Sequence, residues 1–187
     1  FITWMLARLF HPSNVLDDAL APGMKKWVRV ALPLTIVAFI IHAVSMGLRC
    51  YIAGRPPVTN MYESIVWVSF GTLLFAFILW WIQKNTLLFT VATALGTVGL
   101  IISDAAPVMM DPSIQPLVPV LRSNYWLTIH VLTITLSYAA FALTLGIGNV
   151  ALWQFIRKKD STEEGKKKVT MLNLLSYRAM QFGVVLL

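Results

Sequence analysis

RSNYWLTIHVLTITLSYAA, from Arg122 to Ala140, decides how the rest of the chain is read. Ser123 and Asn124 are residue types that cap helix N-termini. Tyr125 and Trp126 favour the membrane–water boundary. The run that follows is apolar except for His130 and a few hydroxyl side chains, and it continues to about Ile156. That is longer than the roughly 20 residues a helix needs to cross a bilayer, so this span is expected to tilt or to project past the headgroups. An ionisable side chain at membrane depth is costly, and by default it marks a site of function. Imidazole is also the commonest protein ligand for metal ions.

The composition agrees with a chain built for lipid. Of its 187 residues 58% are hydrophobic and 12% charged, and the mean hydropathy is +0.74, far from an ordinary soluble domain. Several runs reach spanning length, and the strict alternation of a membrane β-barrel is absent. The expected fold class is all-α, a polytopic transmembrane bundle of about five spans with the last one truncated. The net charge of +7 sits in short segments beside the apolar runs, a mark of membrane topology rather than of nucleic-acid binding. Cys50 is the sole cysteine, which excludes an internal disulfide, a CxxC redox pair and a thiolate metal cage.

Residues 1–26 read as an interfacial segment, Phe1 to Phe10, followed by a polar cytoplasmic linker with turn chemistry at Pro12, Ser13, Asn14, Pro22 and Gly23. The transmembrane domain is expected over 27–187. Its first span runs from about Trp27 to Leu48, roughly 33 Å at 1.5 Å per residue. Thr35, Ala38, His42, Ser45 and Arg49 recur there at helical spacing and form one small or polar face, the kind that packs against other helices. A loop at about 49–60 follows, and Asn60 with Glu63 resembles a capping box opening the second span. That span ends near Trp80 and Trp81. The third, about Thr86 to Ser103, has a small-residue stripe of Ala92, Gly96, Gly99 and Ser103. A proline-rich loop over about 104–124 leads into the span of His130, and a charged hinge over 157–170 precedes a fifth span beginning near Met171. The chain starts without Met and ends in an apolar run, as expected for a piece of a longer protein.

Basic residues orient these spans. Arg8, Lys25, Lys26 and Arg29 precede the first span, Lys84 follows the second, and six Lys or Arg lie between Arg157 and Lys168. The opposite side carries only Arg49, Arg55 and Arg122. The positive-inside rule therefore puts the loops at 49–60 and 104–124, and the His130 end, on the outer side of an inner (plasma) membrane. His130 is expected about 8 Å below the start of its helix.

Taken as residues alone, His130 reads equally as a ligand or as a packing histidine hydrogen-bonded to a neighbouring helix. Trp126, Thr133 and Ser137, and then Thr144 and Gly148, continue its stripe. His42 reads first as a packing or hydrogen-bonding group, and His11 as a solvated linker residue. Arg55, Asn60 and Glu63 read first as a turn and helix cap, with carboxylate recognition by arginine as the alternative. No catalytic triad, carboxylate dyad, phosphate-binding glycine loop or cysteine–histidine metal cluster is present, so hydrolysis and phosphoryl transfer are not expected.

Two stretches carry a resemblance. GRPPVTNMYES, Gly54 to Ser64, and LRSNYWLTIHV, Leu121 to Val131, together resemble the CcsA/ResC family of cytochrome c biogenesis proteins. LLSYR, Leu174 to Arg178, is similar to that family's approach to its tryptophan-rich signature segment, which this chain does not contain. The resemblance implies a membrane protein that delivers haem b to the outer face and holds it by histidine ligation for thioether attachment to apocytochrome c, as part of a haem lyase. His130 matches the first of two haem-ligating histidines, which makes it the expected axial ligand to haem iron. Trp126 and His42 are secondary candidates for haem contact. The implied partners are apocytochrome c, a CcsB/ResB-type subunit or fused domain, and the lipid bilayer. The competing reading is a secondary transporter or membrane scaffold subunit with no cofactor, its histidines serving as proton relays or packing groups.

Overall fold

A computed structural model of the chain describes residues 22–83, 87–105, 110–114, 125–156 and 162–187. The interfacial segment, His11 and most of the linker lie outside the described residues, as do Lys84, Arg122 and most of the 104–124 loop. The described residues form five α-helices and no strand. They are α1 (Pro22–Ala53), α2 (Met61–Gln83), α3 (Leu87–Ala105), α4 (Tyr125–Ile156) and α5 (Glu163–Leu186). The first four are long and apolar enough to cross a membrane, α1 over Ala31–Ala53. The chain is a multi-pass helical membrane protein.

Three boundaries differ from the sequence reading by five residues or more, the first being the start of α1 at Pro22 rather than near Trp27. Helix α1 does not stop at Leu48 but runs to Ala53, because nothing before Gly54 breaks it. Gly54 has φ +62°, the left-handed conformation in which glycine ends helices without a Cβ clash. Helix α5 begins at Glu163 rather than near Met171. The Thr162 hydroxyl accepts the Gly165 amide at 3.1 Å and caps it, so Lys166, Lys167 and Lys168 belong to its first turns.

The core lies where α2, α3, α4 and α5 meet. Leu79, Leu88, Leu143, Ile147, Leu172 and Leu175 are fully buried there. Lipid tails are as apolar as leucine, so these helices are held by close van der Waals packing rather than by escape from water. Small residues make that packing possible. A Cβ on Gly71 would sit 2.8 Å from the Ala139 Cβ, and one on Gly146 would sit 2.5 Å from Val91. Of the expected stripe on α3, Ala92, Gly96 and Ser103 are buried. Gly99 lies so near Ser69 that an added Cβ would collide with its hydroxyl.

Helix α1 stands apart from this core. It leans on α2 and α3, and among its described side chains one hydrophobic, Met46, is buried, while Leu34, Ile40, Ile41 and Leu48 are exposed. Its lower, loosely packed stretch and its tied upper end position the sites described next.

Replacing Gly71 by Ala is expected to cost about 1–3 kcal/mol, as overpacking does. The matched control is Gly148→Ala, since nothing lies within 4 Å of a Cβ built there. Thermal unfolding of the two variants in detergent checks the contrast, and equal melting temperatures would contradict the α2–α4 packing.

Candidate functional site

The α1–α2 turn, within GRPPVTNMYES from Gly54 to Ser64, folds around one carboxylate. Glu63 is 3% exposed, yet it lies in the first turn of a membrane helix, where an unpaired charge is expensive. Arg49 donates from Nε to its Oε1 at 3.0 Å, and Arg55 donates to both oxygens at 3.4 Å. The Thr59 amide donates to Oε2 at 3.0 Å, and the Thr59 hydroxyl adds a short bond to the same oxygen. Asn60 Oδ1 accepts the Glu63 amide at 2.7 Å, the forward half of the expected capping box. The return half is redirected: Glu63 reaches the Thr59 amide instead of the Asn60 amide. Turn and cap formation is thus what Arg55, Asn60 and Glu63 do in this fold.

The same cluster fastens the connection before α4. Arg49 Nη2 donates to the Pro112 carbonyl at 2.7 Å, and Asn60 Nδ2 donates to the Asp111 carbonyl at 3.3 Å. Asp111 in turn accepts the Ser113 amide and hydroxyl at 2.8 and 2.7 Å. The Arg49 guanidinium also lies 5.1 Å from the centre of the Tyr62 ring, within cation–π range. Arg49 was expected both as the last member of the polar face of the first span and at the start of the loop. It is helical, and that rigid backbone aims it at both partners.

His130 lies in the second turn of α4 and is exposed. The packing alternative required a hydrogen bond to a neighbouring helix, and among the described residues no such bond is recorded for its side chain. Trp126, one turn earlier, is 74% exposed and meets Tyr125 edge-on at 5.8 Å. Lower down the same helix the stripe turns inward: Ser137 is fully buried, and the Thr144 carbonyl accepts the Ser176 hydroxyl of α5 at 3.3 Å. The stripe therefore serves two purposes, packing below and presentation above.

His42 lies elsewhere, on the face of α1 turned toward α2 and α3. It lines a recess of about 430 Å³ together with Thr35, Ala38 and Ser45, the polar face read from the sequence. His130 is not part of that lining. Among the described residues no group of three or more His, Cys, Asp and Glu side chains could hold a metal ion.

A family described as Cytochrome C assembly protein matches residues 58–187, from the turn that holds Glu63 through α5. The chain belongs to that family. It is 31% identical over 151 residues to Protein NrfI of Wolinella succinogenes, an alignment covering 81% of this chain and 16% of NrfI. It is 30% identical over 175 residues to the cytochrome c biogenesis protein CcsA of Guillardia theta, covering 82% of this chain and 57% of that protein. A third relative, the CcsA of Crocosphaera subtropica, is 32% identical over 135 residues, covering 69% and 38%. The chain spans less than two thirds of the length of each.

Sequence reading missed two residues of α5. Arg178 and Gln181 are 3% and 5% exposed, and both Gln181 amide atoms are buried without a hydrogen-bond partner among the described residues. Their three-residue spacing placed them on one helix face, but only packing shows which face is turned inward.

Glu63→Ala is expected to cost about 3–5 kcal/mol, because it strands two arginines that its carboxylate neutralises. Arg49→Ala should cost less than Glu63→Ala, since Arg55 and Thr59 still serve the carboxylate. Chemical unfolding of the two variants and their double mutant measures the ordering, and a harmless Glu63→Ala would refute the role assigned to the cluster.

Proposed function

We propose that this chain is the haem-handling portion of a cytochrome c synthase, with His130 as an axial ligand that holds haem b at the outer face of an inner (plasma) membrane. The observation that carries the reading is an imidazole at the end of a membrane-spanning helix, exposed, unengaged by described neighbours and one turn from an exposed tryptophan. Neutral imidazole ligates haem iron, and a side chain with no internal hydrogen bond has its lone pair available for that task. Membership of a cytochrome c assembly family supports haem as the cargo and its attachment as the reaction class.

The chain's own residues would act by positioning. His130 would fix the haem on one axial side, and Trp126 offers a flat apolar surface next to it. The Glu63 cluster, by tying residues 111–113 to α1 and α2, would set the shape of the surface that an apocytochrome c must approach. In the attachment step each cysteine thiol of the apoprotein adds across a haem vinyl group. A sulfur–carbon bond forms, the vinyl double bond is lost and the thiol hydrogen ends on carbon, so no external oxidant or reductant enters the balance. Holding the vinyl groups still relative to the thiols is worth more than any acid or base here. A CcsB/ResB-type subunit or fused domain is the partner proposed to complete the site.

The purified protein from haem-supplied cells is expected to show a Soret band that weakens in His130→Gly and returns with added imidazole. A colourless protein would instead favour the transporter or scaffold reading. Topology offers a separate check. A reporter inserted between residues 157 and 168 is expected to be cytoplasmic, and an outer location would put His130 on the wrong side.

A further inference from the structure

The junction of α4 and α5 leaves apolar and basic side chains bare at the same level. At the end of α4, Leu152, Trp153, Phe155 and Ile156 are each more than half exposed. Trp153 lies 28 residues beyond Tyr125, about 42 Å along the helix at 1.5 Å per residue. With Tyr125 at one membrane boundary, that distance reaches the headgroup layer of the opposite leaflet, since a bilayer with its headgroups is about 40–45 Å thick.

The lysines of α5 share this level. Helix α5 returns along α4, and the Ser176 hydroxyl donates to the Thr144 carbonyl at 3.3 Å. Antiparallel packing that sets residue 176 beside residue 144 sets residues 166–168 beside residues 152–154. Lys166 and Lys167 are exposed and Lys168 is half-buried. Lys166 donates to Glu163 Oε1 at 3.0 Å. Over residues 157–168 six basic side chains outnumber three acidic ones, so the junction keeps a positive surplus.

Charges that only orient spans must stay on one side of the membrane, but they need no fixed position. Here the Thr162 cap holds three lysines on a helix, level with an uncovered apolar helix end. A phospholipid matches both parts. Its acyl chains cover apolar surface, its phosphate lies at headgroup depth, and lysine stems can lie along apolar surface while the ammonium groups stay at the phosphate. A zwitterionic lipid carries its own cation, so the surplus of positive charge selects an anionic one.

We propose that the α4–α5 junction is a binding site for an anionic phospholipid, with the lysines at 166–168 holding its phosphate and its acyl chains covering the end of α4. The site is separate from His130 and takes its lipid whether or not the chain carries haem.

The test uses the full protein in detergent, titrated with phosphatidylglycerol, phosphatidylcholine or glycerol phosphate. Thermal unfolding and native mass spectrometry of bound lipid are the readouts. Phosphatidylglycerol is expected to raise the melting temperature above that reached with phosphatidylcholine, and salt should remove the difference. Lys167→Gln, at an exposed position where substitution seldom disturbs folding, should weaken phosphatidylglycerol binding by about fivefold, the scale of one basic side chain at an anionic surface. Changing Lys166, Lys167 and Lys168 together to Gln should abolish the preference, and changing them to Arg should preserve it. Lys25→Gln with Lys26→Gln, which alters the basic residues before the first span, should leave it intact. Equal responses to the two lipids would overturn the proposal. So would an equal loss in the Lys25 and Lys26 variant, which marks unspecific attraction to the whole basic side. An equal response to glycerol phosphate would overturn it as well, by marking a site for soluble phosphate.

Discussion

A carboxylate removed from water at the end of a membrane helix must be neutralised, and the way Glu63 meets that demand organises one end of this protein. Two guanidinium groups and the amide and hydroxyl of Thr59 converge on it. The donors come from the end of α1, from the turn and from the residues preceding α2. Because Arg49 also reaches the carbonyl of Pro112, the same neutralisation secures the connection that leads to α4 and so to His130. Exposed ion pairs contribute little, but here the carboxylate side chain is 2% exposed and that of Arg55 is 8%, so screening by water is weak.

This tie also explains the looseness of α1. A helix anchored at one end by directional bonds has no need of an apolar seam along its whole length, and among the described hydrophobic side chains of α1 only Met46 is buried. The α2–α5 core is different in kind. There, glycines at 71, 146 and 183 let side chains of the facing helix approach to distances a Cβ would forbid. One part of the bundle is tight and apolar, the other hinged on charge, and the recess lined by His42 lies at the border between them.

The function proposed above asks this bundle to hold a large, flat, metal-containing cargo without burying it beyond reach. A rigid core and a loosely attached first helix suit that demand. His130 and Trp126 face outward from the rigid part, while His42 lines the recess beside the loose part.

Read by itself, the sequence determined the class of structure and the polar groups worth watching. Apolar runs of spanning length are a local property, and lipid lets the backbone satisfy its hydrogen bonds only in a helix or a closed barrel, whose alternating pattern this chain lacks. The span Tyr125–Ile156 and the polar face of α1 were legible for that reason, as was the cap at Asn60. Gly54 as the stop of α1 was visible only as a loop residue, since continuing a helix past Arg49 is a matter of what fails to break it. Tertiary structure alone decided the rest. Glu63 took Arg49, fourteen residues away, as its partner. His130 faced out rather than in, and His42 turned toward α2 and α3, its ring edge-on to Phe70 beside a recess. Periodicity says which residues share a helix face, but it does not say what the face meets, because that depends on how closely other helices can approach.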